Sequence, residues 1–199
     1  MIEQRVQTVR GKIIFLSLVF STLSWSIQLN AQEQTNIKCA VNYDLLNSFF
    51  EDQGDVLLAK RTIDFNKRKI DDLLVLDNWK EAKNNIANVK HQDIQLEQIL
   101  DNNILSKLFL QISNSSSAAL DWSKLAESIT LFSQNPKNEF SWHVSETINF
   151  RGLDNYTYML LYIEKVSADK TSGSGSFYLY KNTASHGWKE VFEFPYWIA

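Results

Sequence analysis

Residues 140–150 read FSWHVSETINF, and residues 156–166 read YTYMLLYIEKV. In the first, Phe140, Trp142, Val144, Ile148 and Phe150 alternate with Ser141, His143, Ser145, Thr147 and Asn149. That period of two predicts a half-buried strand. In the second, apolar side chains occupy both parities, as they do in a central strand. Downstream, Thr171-Ser172-Gly173-Ser174-Gly175-Ser176 reads as a flexible turn, and Phe177-Tyr178-Leu179-Tyr180 resumes the sheet. His186-Gly187 supplies the next turn, and Trp188 to Ile198 reads as the closing strand. Pro195 has no N–H to give a ladder, so this strand is expected at an edge or with a bulge. Such a bulge would turn Trp188 and Trp197 to the same, helix-covered face and bury both. Connections this short predict an antiparallel meander.

Upstream the period changes. Tyr43, Leu46 and Phe50 lie on one face of a helix over about 42–53, with Asn42 placed to cap it and Gly54 beyond its end. Val56 to Phe65 reads as a strand. Lys67-Arg68-Lys69, set among Asp64, Asp71 and Asp72, reads as a solvated turn. Asn78 and Glu81 have capping-box spacing, which predicts a helix over 79–89 with Trp79, Ala82, Ile86 and Val89 on its face. Asp93 to Leu100 is ambiguous in period and is read as a strand. Leu105, Leu108, Phe109 and Ile112 form the apolar face of a helix over 102–112, which the serine run 113–117 ends. Trp122, Leu125 and Ile129 suggest a further short helix capped by Asp121. The fold class expected is α+β. It is one domain over residues 32–199, with a C-terminal antiparallel β-meander packed on one face against N-terminal helices.

The C-terminal pieces have a recognisable order. They are Ile148-Asn149-Phe150, Tyr158-Met159-Leu160-Leu161-Tyr162, Gly173-Ser174-Gly175, Phe177-Tyr178-Leu179-Tyr180-Lys181, Trp188-Lys189-Glu190-Val191 and Trp197-Ile198-Ala199. This layout resembles that of uncharacterised secreted proteins of Bacteroidetes-type bacteria, in which a Gly-x-Gly hairpin and a Trp-Lys-x-Val strand precede a terminal Trp-Ile-Ser; here Ala199 replaces the Ser. The likeness covers about residues 140–199. It implies export and an α+β fold, and it carries over no catalytic residues.

The N-terminus agrees with export. Arg5, Arg10 and Lys12 precede an apolar run from Ile13 to Ile27. This run is too short for the roughly 20 residues of a membrane span, and it suits a signal peptide over residues 1–31 cut after Ala31. No stable membrane span is expected after the cut. Cleavage removes Glu3 with those three bases and shifts the net charge from −3 to −5. An acidic chain has no electrostatic footprint for nucleic acid. The single cysteine, Cys39, excludes an internal disulfide and is read as a small buried hydrophobe. The expected location is the periplasm or the outside of a bacterial cell.

Catalytic signals are sparse. His91, His143 and His186 lie far apart, no His-Glu-x-x-His or paired Cys occurs, and no metal or cofactor is expected. Gly173-Ser174-Gly175-Ser176 lacks the endings of a phosphate loop or a nucleophile elbow. Glu146 is the carboxylate of interest. Strict alternation would place it on the apolar face with a raised pKa, whereas a break near Ser145-Glu146 would turn it outward. Tyr156, Tyr158, Tyr162, Tyr178, Tyr180 and Trp188 could form a sugar-stacking platform or simply the core. The binding candidates are therefore Glu146, Tyr158, Tyr178 and Tyr180, with no catalytic residue assigned. Together these readings favour a non-enzymatic exported module that binds a protein or a cell-envelope component. The alternatives are an exported hydrolase and a carbohydrate-binding protein.

Overall fold

In a computed structural model, residues 39–65, 70–83, 93–132, 140–169, 171–183 and 187–198 are described. All belong to one compact unit, Lys38–Ala199. The signal peptide, the basic turn at 67–69, the second half of the helix over 79–89, and His91 and His186 lie outside the described residues, as does the Cys39 side chain.

The strands are β1 Cys39–Ala40, β2 Val56–Ala59, β3 Ile129–Phe132, β4 Phe140–Val144, β5 Thr147–Arg151, β6 Thr157–Ser167, β7 Gly173–Thr183 and β8 Gly187–Ile198. The helices are α1 Tyr43–Phe50, α2 Leu76–Ala82 and α3 Asn102–Asn114. They form an α+β fold around one mixed eight-stranded sheet. Strands β5 to β8 pair in succession and antiparallel, as expected of a meander. The other half departs from it, because β2 pairs parallel with both β3 and β4. A parallel pair needs a long crossover, and residues 60–128, with α2 and α3, supply one between β2 and β3.

Strand 140–150 is broken where the sequence offered a break. Val144 opposes Ile163 and Ile148 opposes Leu160, so four steps on one strand face three on the other. The extra residue is accommodated at Ser145-Glu146. The Tyr162 N–H donates to Ser145 Oγ at 2.9 Å, and the Ser145 N–H donates to the Tyr162 carbonyl at 2.9 Å. A serine hydroxyl thus stands in for a missing backbone acceptor. Side-chain direction flips at such a bulge. Val144 therefore packs in a cluster with Leu46, Phe50 and Ile163, whereas Phe150 stacks on Tyr158 on the opposite face.

Both sheet faces are covered, which corrects the expectation of helices on one face. Phe177 and Tyr178 are neighbours on β7 and point to opposite sides. Tyr178 meets Phe49 of α1 at 5.1 Å between ring centroids. Phe177 meets Phe109 of α3 at 5.2 Å and Trp79 of α2 at 6.5 Å. The buried run Tyr158 to Ile163 on β6 requires cover on both sides, since each parity carries apolar groups to be removed from water.

The helices begin where local chemistry allows. Asn42 and Asp101 accept from the N–H groups of Leu45 and Ile104, so α1 starts at its expected cap and α3 is capped by Asp101. The capping box at Asn78 does not form: α2 starts at Leu76, and Asn78 instead donates to the Asp72 carbonyl. Residues Leu96–Gln98 form a 3-10 turn rather than a strand, because burying Leu96, Ile99 and Leu100 together needs helical spacing. The stripe read across Trp122, Leu125 and Ile129 also fails. Asp121 caps only the 3-10 turn Trp122–Lys124, Trp122 is 77% exposed, and Ile129 begins β3. Residues Ile63 and Phe65 are buried but lie beyond β2, which ends at Ala59. Cys39 and Ala40 pair with β5 and extend the sheet.

Glycines 173 and 175 belong to β7 and not to a turn, which instead falls before Gly173. Asp169 organises that turn by accepting from the Ser167 and Thr171 hydroxyls, and these bonds hold its carboxyl down at about 2. Strand β8 forms one edge of the sheet and carries two register shifts, at Val191 and near Pro195, so the edge and the bulge offered as alternatives for Pro195 both occur. Two shifts cancel. Trp188 opposes Asn182 and Trp197 opposes Gly175, seven residues apart on β7, so the two tryptophans face opposite sides and both are half-buried. The expectation of two buried rings on one face does not hold.

Candidate functional site

The β5–β6 hairpin ends in a tight turn. The Gly152 N–H donates to the Tyr156 carbonyl, the Asn155 N–H donates to the Gly152 carbonyl, and Asn155 takes a φ of 67°. Gly152 is required because a Cβ there would lie 2.7 Å from the Tyr158 ring. The turn aims Asp154 into a cleft of about 370 Å³ between the 93–99 segment and the ends of β7 and β8. The Leu153 N–H donates to the Ile99 carbonyl and ties the two walls together.

The floor of the cleft is a closed polar set. Asp154 Oδ2 accepts from the Tyr158 hydroxyl at 2.6 Å and from Lys181 Nζ at 3.4 Å, and its Oδ1 accepts from the Tyr156 N–H at 3.1 Å. Lys181 Nζ also lies 3.4 Å from the Tyr156 ring centroid, a cation–π contact. Burial works against the Asp154 carboxylate, but the Tyr158, Tyr156 and Lys181 donors outweigh it and lower its pKa. Burial, then the bond to Asp154, raises the Tyr158 phenol well above its ordinary value. Tyr158 therefore stays neutral and donates, and it is no proton shuttle near neutrality.

Because its folded pKa is depressed, Asp154 stabilises the fold above its unfolded value near 4, and that contribution is lost as pH falls through the folded pKa. Asp154→Asn is expected to flatten the acid limb of the stability curve below about pH 4. Chemical unfolding at stepped pH measures it, and an unchanged slope would refute the assigned role.

The other candidates lie elsewhere. Glu146 sits half-buried at the β4–β5 break, where burial raises its pKa. Tyr178 and Tyr180 share the α1 face with Trp188. Tyr180 is buried and Tyr178 partly so. Burial raises both phenols, with the charges of Glu193 and Glu190 adding to it. The Val191 bulge produces that environment: Glu190 opposes Tyr180 and Glu193 opposes Tyr178, although residues three apart would point apart in a regular strand. Tyr158 and Tyr162 are fully buried on the other face, and Tyr156 is exposed. The six rings are thus divided between two faces and provide no common exposed platform.

Two constellations were not legible in the sequence. Ser141 Oγ lies 3.1 Å from His143 Nε2, a pairing that i, i+2 spacing on β4 could have suggested. Ser141 is fully buried, so no acyl group can reach it. Trp197 Nε1–H donates to Tyr162 Oη at 2.7 Å, and Tyr162 donates to the buried Glu164 at 2.8 Å. No group of three metal-ligating side chains occurs among the described residues, and no helix among them is long and apolar enough to cross a membrane. No known protein family, curated protein or solved structure matches this chain.

Proposed function

We propose that this is an exported, non-enzymatic binding module of the bacterial cell envelope, and that the Asp154–Lys181 cleft is its binding site. The observation that carries the reading is the commitment of three ionisable groups of the cleft, Asp154, Tyr158 and Lys181, to one another. Asp154, Tyr158 and Lys181 are joined by hydrogen bonds, and the phenol is held neutral. Preformed polar walls of this kind suit recognition, and they leave no nucleophile or general base poised for turnover. Export rests on the basic, short-apolar pattern of residues 1–31 and on the resemblance of residues 140–199 to secreted bacterial proteins.

The test is fractionation of cells expressing the full chain with a C-terminal tag, followed by capture from the envelope fraction. The expected result is a shortened, exported product that retains an envelope component, and weaker retention when Lys189 and Asp93, which also line the cleft, are changed together by Lys189→Gln and Asp93→Asn. Retention of the uncut chain in the cytoplasm would overturn the export reading, and capture unaffected by the double variant would overturn the cleft assignment.

A further inference from the structure

The ligand class follows from a charge account of the cleft, given that the cleft is the binding site. Lys181 and Lys189 occupy directly opposed positions on β7 and β8. Opposed like charges destabilise a sheet. Asp154 answers one of them, because its carboxylate is paired with Lys181 at 3.4 Å. Lys189 is exposed and has no ion-pair partner among the described residues. Asp93, on the opposite wall, is likewise exposed and without an ion-pair partner among them. The third acid of the lining, Glu190, opposes Tyr180 and is already engaged in an interaction of its own.

One cation and one anion are therefore left to meet a ligand. In the same lining, Gln98 Nε2 donates to Gln95 Oε1, which leaves the Gln95 N–H donors and the Gln98 carbonyl available. We propose that the cleft takes a small zwitterion, a short peptide with free ends. Lys189 faces its carboxylate, Asp93 faces its ammonium, and the two glutamines meet its amide. A simple anion would satisfy Lys189 and be repelled by Asp93, and a simple cation would do the reverse. A cleft of about 370 Å³ is of a size for such a ligand.

The probe is the dipeptide alanylalanine, titrated into the full chain beside its N-acetylated and its C-amidated forms. The unblocked dipeptide should bind best, and each block should weaken binding by about fivefold, as exposed charge pairs do. Lys189→Gln should abolish the preference for the free carboxylate and keep that for the free amine, and Asp93→Asn should do the opposite. Both residues are exposed, so both variants should fold. Equal binding of the three peptides, or no binding of alanylalanine, overturns the zwitterion inference. If envelope capture still depends on Lys189 and Asp93 in that case, the binding-module reading stands; loss of both results brings down both.

Discussion

Trp79→Ala destabilises the fold by about 3–5 kcal/mol, the range for deleting a large core aromatic. The ring is fully buried under the β7–β8 hairpin. Its centroid lies 4.7 Å from that of Phe194, 6.0 Å from Phe192 and 6.3 Å from Phe109. Its Nε1–H donates to the Leu73 carbonyl at 3.0 Å, so the truncation also orphans a buried acceptor. Against the roughly 5–15 kcal/mol of a typical domain, this change unfolds a large fraction of molecules on modest warming. Trp188 is only half-buried, and its truncation should cost less than that of Trp79. Trp122, at 77% exposure, should be removable with almost no change. Urea unfolding of the three alanine variants gives the ranking, and a Trp79 variant as stable as the Trp122 variant would refute this account of the core.

Gly175→Ala is expected to cost about 3 kcal/mol, through overpacking and a broken, partly buried hydrogen bond. A Cβ at this position would meet the Tyr162 hydroxyl and would lie 2.5 Å from Trp197 Nε1. It would thus enter the relay from Trp197 through Tyr162 to Glu164. The ring of Tyr162 cannot withdraw, because Phe65 and Phe177 hold it at 5.1 and 4.7 Å between centroids. Adding Tyr162→Phe removes the colliding oxygen and should restore part of the stability that the alanine takes away. The comparison is a double-mutant cycle read by thermal unfolding. Strictly additive losses would show that the two residues do not collide.

The elements legible in the sequence were those specified by local chemistry. Asn42 and Asp101 cap helices because their side chains reach N–H groups three residues on, and nothing distant is needed for that. The α3 face of Leu105, Leu108, Phe109 and Ile112, the doubly apolar β6 and the edge-or-bulge signal of Pro195 are equally local. The two-sided pattern of β6 in fact required helices on both faces, a consequence contained in the sequence. Which helix goes to which face was not, because Phe49 of α1 and Phe109 of α3 are equally apolar, and only pairing with Tyr178 or Phe177 separates them.

Sidedness along broken strands belonged to the tertiary structure alone. The Ser145 hydroxyl replaces a ladder acceptor only because Tyr162 lies across from it, and the bulges of β8 exist only in register with β7. Each extra residue inverts every side chain beyond it, so period-two reading fails past Ser145 and returns to its starting parity in β8 after two shifts. The cleft was hidden for the same reason. Asp154, Tyr158 and Lys181 have no common spacing in the chain, and a hairpin turn and a strand pairing bring them together. The sequence determined where α1 and α3 start, that β6 is central and that Pro195 marks an edge or a bulge, since those depend on the residues themselves. Parallel pairing of β2, the division of helices between faces and the polar set of the cleft were decided only by partners distant in sequence, whose geometry no local pattern encodes.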